Sequence, residues 1–227
     1  MVPIRLLSTL ALSGVLDALL PRLAARLPPV EAQLAPTQVL LERILAGARG
    51  DIAVLTEAAV DALSASSILD GSTRIALARS HVGLAVRQGA ARPDISTKAA
   101  VAAALCGARS VALSRTGASG VFMAGLLARL GIADEVNRKA TVISSGFTGE
   151  RVVSGEADLA VQQMSELMAV PGLDIVGRLP PEIEGVSVFT AALFIGAAPG
   201  AADVVAALRA ATVLMREKGL EPVAADG

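Results

Sequence analysis

The chain has 227 residues, 53% of them hydrophobic and 18% charged, which suits one compact domain or two small lobes with a real core and excludes a disordered chain. Its 20 basic and 21 acidic residues leave a net charge of −1, so nothing points to nucleic acid or to an anionic membrane surface. Aromatic residues are 2%, with no Trp or Tyr, which argues against stacking of bases or sugars, and one Cys with one His excludes an internal disulfide and a His/Cys metal site.

The N-terminus imitates a secretory leader. Arg5 is followed by the apolar run Leu6 to Leu16, but Asp17 closes it and no small-x-small cleavage site follows directly. No stretch is long and uncharged enough to cross a membrane. The location expected for the chain as written is cytoplasmic, and periplasmic if a leader was removed.

In chain order, Pro3 to Ser8 reads as a buried strand and Ser13 as the cap of a helix whose apolar face is Val15, Leu16, Leu19, Leu20, Leu23 and Leu27. Pro21 should kink that helix and Pro28-Pro29 end it. Val30 to Ala35 alternates as a half-buried strand does, and Thr37 can cap a helix from Val39 to Ala46. Asp51 to Leu55 is a third strand, and Thr56 can cap Glu57 to Ser64. This βαβαβα order predicts a parallel sheet covered by helices. Asp70-Gly71-Ser72 reads as a turn, and Arg74 to Arg87 as a strand pair or one long strand crossing between lobes.

A second βαβαβ unit follows. It consists of a helix from Ser96 and Thr97 to Leu105, a strand Ser110 to Ser114, a helix Ser119 to Leu130, a strand Ala140 to Ser144, a helix Thr148 to Ser154 and a strand Ala157 to Gln162. Pro171 to Pro181, including Asp174 to Val176, reads as a connector. Val186 to Ala197 is another long apolar strand, and Ala201 to Lys218 one closing helix. The expected organisation is residues 1–80 with 190–227 as one lobe and 81–189 as an inserted second lobe.

Two turns carry the chemistry. Thr116-Gly117-Ala118-Ser119-Gly120 and Ser144-Ser145-Gly146-Phe147-Thr148 each join an apolar strand-like run to an apolar helix-like run. Each places hydroxyls and free N–H groups at a helix N-terminus, where anions bind. Ser13, Thr37, Ser119 and Thr148 read singly as helix caps. Together they follow consecutive strands, whose carboxyl ends face the ligand crevice in open α/β sheets. Gln162-Gln163 ends a strand, so one side chain is expected to face the cleft and the other the core or hinge. Arg115, just before Thr116-Gly117, offers bidentate carboxylate recognition. His81 reads as a structural or hinge residue and Cys106 as a small core residue.

The order of elements, with Leu41-Glu-Arg-Ile-Leu-Ala-Gly47, Asp51-Ile-Ala-Val-Leu55, Gly155-Glu-Ala-Asp-Leu-Ala-Val161 and Lys218-Gly-Leu-Glu-Pro222, resembles the type II periplasmic solute-binding fold, and within it the molybdate-binding-protein family. The resemblance implies an α/β fold of two lobes, each a mixed, mostly parallel sheet flanked by helices, joined by two hinge strands. It also implies an anion held in the cleft by neutral donors from several turns. With the turn chemistry above, the expected ligand-binding set is Ser8, Thr9, Leu10, Ala11, Thr37, Gln38, Arg115, Ala118, Ser119, Gly120, Ser144, Ser145, Thr148 and Gln163, with no metal or cofactor. The family's first-turn serine falls at Ala11, its paired serines at Pro36-Thr37-Gln38 and its strand-end tyrosine at Gln163, which favours a carboxylate over molybdate.

The partners expected are a small anionic ligand and, if the protein is exported, an ABC transporter permease, with no nucleic acid and no membrane insertion. The alternative is an enzyme. Aconitate isomerase resembles this same family, and its 1,3-proton shift needs carboxylate anchors and one acid/base but no cofactor. Arg115 or Arg79 would anchor carboxylates, with Glu150 or Glu166 as candidate bases. A ligand sensor is a third reading, with no DNA-binding or signalling segment behind it.

Overall fold

The computed structural model describes residues 2–224. By compactness the chain divides into Met1–Ser80 with Ser187–Gly227 as one unit and His81–Val186 as the other. Each is an α/β layer structure built on three parallel strands.

In the first unit, strand β1 (Ile4–Ser8) lies between β2 (Val30–Leu34) and β3 (Ile52–Thr56), all parallel, with Leu6 opposite both Ala32 and Ile52. The last long strand, β9 (Val186–Phe194), pairs antiparallel with β3, and β4 (Leu69–Arg87) lies next to β9. The short β10 (Glu221–Pro222) closes antiparallel on β4 at Ala78 and Arg79. Alternate side chains feed two cores. Ile52 and Val54 pack on α1 (Ser13–Leu23), α9 (Ala201–Ala210) and α10 (Thr212–Glu217), through Val15, Leu16, Leu208 and Met215. Ala53 and Leu55 pack on α2 (Thr37–Leu45) and α3 (Glu57–Ala65), through Leu40, Ile44, Val60 and Leu63. Each fully buried Leu or Ile in such a core stabilises by about 1.5–3 kcal/mol.

The second unit repeats the plan. Strand β5 (Val111–Ser114) lies between β6 (Ala140–Ile143) and β7 (Leu159–Gln163), all parallel. Residues 82–86 of β4 pair antiparallel with β7, and residues 83–87 with β8 (Leu173–Arg178). One face packs on α4 (Lys98–Gly107), α5 (Ala118–Leu130) and α6 (Ala133–Lys139), through Val101, Leu105, Met123, Leu127 and Val136. The other, lined by Ala85, Ala112 and Ala160, packs on α7 (Thr148–Val153) and α8 (Met164–Met168), through Val152 and Leu167. The small residues on that face let short helices sit close.

Several expectations need correction. Asp70-Gly71-Ser72 lies inside β4 rather than in a separate turn, although the Asp70 carboxylate accepts the Ser72 N–H at 3.0 Å, the local bond that made it read as one. The connector around Asp174 is strand β8, whose pairing with β4 outweighs a sequence broken by Gly177. The closing helix is two helices, because Ala211 leaves the helical region at φ −78°, ψ 39°. Helix α6 had no apolar period, since Val136 is its buried residue, but its ends carry Asp134 and Glu135 first and Arg138 and Lys139 last, matching the helix dipole.

Candidate functional site

Parallel strands deliver their carboxyl ends to the same edge of a sheet, so in each unit the turns leaving adjacent strands are neighbours. In the first unit, β1 leads into Thr9 and a 3-10 turn, Leu10–Leu12, before α1. The adjacent β2 leads through Ala35 and Pro36 into α2. The Thr37 hydroxyl donates to that of Thr9 at 3.4 Å, and the Ser8 hydroxyl donates to the Thr9 carbonyl at 3.2 Å. Leu10 and Ala11 are buried and offer only backbone groups. Gln38 is exposed, and its amide donates along α2 to Glu42 at 3.1 Å.

Ser13 and Thr37 are not caps. Each is the first residue of its helix, with Leu12 and Pro36 in the cap positions. The Ser13 hydroxyl is buried and has no hydrogen-bond partner among the described residues.

The second unit finishes its strand ends with a denser network. Beyond β5, the Ser114 hydroxyl accepts the Gly117 N–H at 3.0 Å and folds the turn back. The Arg115 N–H donates to the Ile143 carbonyl at 2.8 Å, and the Thr116 hydroxyl to the Ser144 carbonyl at 2.9 Å, tying the β5 exit to the β6 exit. Helix α5 starts at Ala118 against the strand end. A Cβ on Gly120 would lie 1.9 Å from the Ser114 carbonyl oxygen, so only glycine permits this approach. Ser119 lies within the first turn of α5, not at its cap, and its buried hydroxyl has no partner among the described residues. The Arg115 side chain is exposed and forms no ion pair among the described residues.

At the β6 exit, Ser144 and Ser145 are exposed and Gly146 takes φ +80°, the left-handed conformation that favours glycine. Thr148 opens α7 and is fully buried. Its N–H and hydroxyl both donate to the Gln162 amide oxygen, at 2.7 and 2.9 Å, and the Gln162 amide donates to the Gly146 carbonyl at 3.3 Å. Both glutamines are buried, and both serve neighbouring turns. Gln163 caps α8 in a capping box: its side chain accepts from the Glu166 N–H, while the Glu166 carboxylate accepts the Gln163 N–H at 3.3 Å.

Glu166 is the acid that the network encloses. Burial pushes its carboxyl up to about 7, against the lowering effect of hydrogen bonds from the Gln163 backbone and the Gln162 side chain. Glu150, by contrast, is exposed and 3.9 Å from Arg151, and Arg79 is exposed on β4. His81 is buried, with Nδ1 2.7 Å from the Glu184 carboxylate, as a structural histidine is.

Sequence reasoning missed the turn-closing role of Ser114 and the capping box. The second had a signal, Gln163 followed three residues later by Glu166. It also missed Thr190 on β9, fully buried, whose hydroxyl has no hydrogen-bond partner among the described residues. Among the described residues no group of three or more His, Cys, Asp or Glu could hold a metal ion, and no helix is long and apolar enough to cross a membrane.

The chain is similar to several known proteins. It is 37% identical over 157 residues to aconitate isomerase from a Pseudomonas species, covering 69% of this chain and 60% of that relative. It therefore spans less than two thirds of that protein's length. The periplasmic molybdate-binding protein of Azotobacter vinelandii superposes with a TM-score of 0.80 at 17% identity, covering 98% of this chain and all of that one. The sulfate-binding protein of Mycobacterium tuberculosis does so with a TM-score of 0.70 at 16% identity, covering 98% and 88%. At these identities the structural likeness establishes the type II periplasmic-binding fold, a mostly parallel sheet flanked by helices. Residues 4–221 match the family described as bacterial extracellular solute-binding protein, and the chain belongs to that family.

Proposed function

We propose that the protein binds a small carboxylate anion at its strand-end turns, whose candidate donors are Thr9, Thr37 and Ser13 in the first unit and Ser119 and Arg115 in the second. The observation that carries this reading is the pair of buried, unpartnered hydroxyls, Ser13 and Ser119, each in the first turn of a helix after a parallel strand. A buried hydroxyl without a partner costs about 1–3 kcal/mol, which a ligand oxygen would recover. The free Arg115 guanidinium favours a carboxylate, and family membership favours a solute. Calorimetry with molybdate, tungstate, sulfate, citrate and the aconitates tests it. Carboxylate binding that weakens in Ser119→Ala and most in Arg115→Ala is expected. Tight molybdate or tungstate binding with no response to any carboxylate would overturn it. When the protein is exported, this reading adds an ABC transporter permease as partner.

A second reading is turnover, favoured by the likeness to aconitate isomerase. Here the dry Glu166 carboxyl, which titrates near 7, is the candidate base. It would take a proton from the methylene beside the double bond; the double bond moves over, and the proton returns at the far carbon, so no co-reactant is consumed. Proton NMR of cis- and trans-aconitate mixed with the protein is the test. Interconversion lost in Glu166→Gln, with binding retained, is the expected result. No interconversion by the unmodified protein removes this reading and leaves binding.

A further inference from the structure

We propose a second ligand site at the opposite edge of the second unit's sheet, for a small organic acid with one carboxylate on an apolar body. A groove of about 680 Å³ opens at the amino ends of β5 and β7, entirely within this unit. Its volume lies in the range of small-molecule sites. Its walls are apolar, with Val86, Pro93, Ala104, Val152 and Leu159 among them, and its charged members are Arg87, Arg92, Arg109 and Asp158.

The charges are unevenly spent. Asp158 accepts the Arg109 backbone N–H at 2.8 Å and its guanidinium at 3.0 Å, so that acid is neutralised locally. Asp174, outside the lining, accepts the Gly89 N–H at 3.1 Å and lies 3.7 Å from Arg92. Arg87, at the end of β4, has no ion pair or side-chain hydrogen bond among the described residues. The groove thus pairs an apolar floor with one uncommitted guanidinium, a group that recognises carboxylates with two parallel hydrogen bonds. A neutral apolar ligand would leave that cation unused, and a small inorganic anion would leave the apolar walls in water. An amphipathic monocarboxylate satisfies both. None of these residues belongs to the strand-end turns, so the inference stands apart from the proposed function.

The test is an NMR titration of the ¹⁵N-labelled full chain with octanoate, with 1-octanol as the neutral control. Saturable shifts are expected at the amides of Gly107, Ala108, Gly155 and Ala157, with 1-octanol binding much more weakly. Arg87→Ala should weaken octanoate by about three- to tenfold, because the guanidinium is partly screened by solvent, and Arg87→Gln should do the same. The unbound spectrum of each variant reports that its fold is kept. Ser119→Ala and Thr148→Ala should leave octanoate binding unchanged. No saturable shift, equal binding of 1-octanol, full affinity in both Arg87 variants, or shifts confined to the turns at 115–117 and 144–148 would overturn the proposal.

Discussion

The two units are built on one plan and finished differently. Each has a central parallel strand, β1 or β5, flanked by two more, with helices on both faces. In the first unit the neighbouring strand exits are joined by two backbone bonds, Thr9 N–H to the Val54 carbonyl at 2.9 Å and Ala35 N–H to the Ser8 carbonyl at 3.2 Å, and, among the side chains of the described residues, by one long hydroxyl contact, Thr37 to Thr9 at 3.4 Å. In the second they are laced by Ser114 to Gly117, Arg115 to Ile143, Thr116 to Ser144 and the bonds of Gln162 to Thr148 and Gly146. The lesson is that the same strand-turn-helix geometry can be held by apolar packing, as around Leu12 and Val15, or by buried polar bonds. The polar version specifies its turns more sharply and suffers more from one lost partner.

The largest expected effect breaks that contrast at the two glycines in the helix first turns. Gly120→Ala should destabilise by about 3 kcal/mol and lower Tm by roughly 6–12 °C, because its Cβ meets a strand carbonyl rather than a movable side chain. In the first unit a Cβ at Gly14 meets only the Lys218 stem, at 3.3 Å, which can swing away. Gly14→Ala should change stability by less than about 0.5 kcal/mol, since improved helix propensity offsets the contact. Thermal and urea unfolding measure both, and equal losses would erase the distinction.

Next comes pH. The Glu166 carboxyl titrates at about 7 in the folded protein against 4.5 as the ordinary value, so between those limits the folded state holds more protons than the unfolded state. The stabilisation is therefore fully present below about 4.5, shrinks as pH rises, and is gone above about 7. Its span is about 3 kcal/mol, an order of magnitude set by the size of the shift. Urea unfolding from pH 4.5 to 8 should show this slope in the parent and lose it in Glu166→Gln, which should be the more stable of the two at pH 8. An unchanged slope would mean that the acid is not held dry.

Binding affinities give a smaller effect. Arg115→Ala should weaken carboxylate binding about tenfold, the worth of one charge-assisted hydrogen bond, and Thr37→Ala only about threefold. Calorimetry with citrate and the aconitates reads both. Equal losses from the two units would show the free guanidinium to be irrelevant.

The smallest effect sharpens the comparison at the paired orphan hydroxyls. Ser13→Ala and Ser119→Ala should each stabilise the ligand-free protein slightly, by about 0.5–1 kcal/mol, while reducing the rise in Tm that ligand produces. Differential scanning with and without ligand measures both. A loss of ligand-free stability in either variant would reveal a protein partner for that hydroxyl.

Much of the fold was legible locally. The alternation of apolar strand and amphipathic helix through Leu55, and again from Ser110 to Val161, determined the parallel α/β class, because side-chain period is a property of neighbouring residues. The turns rich in Ser, Thr and Gly were legible for the same reason. Their wiring was not. That Thr148 would give both its donors to Gln162, 14 residues on, or that Gly120 is required by the Ser114 carbonyl, depends on strands folding beside one another. Ser13 and Thr37 looked like caps because a hydroxyl before an apolar run is the local signature of one. Packing of β1, β2 and the 3-10 turn placed each one residue inside its helix, and so left the Ser13 hydroxyl without a partner among the described residues. The sequence by itself determined which elements form and where donors concentrate, both short-range matters of period and composition. Only the tertiary structure decided which donors are spent on the protein and which are left over, because a hydrogen bond needs its partner within about 3 Å and distant segments reach that separation only on folding.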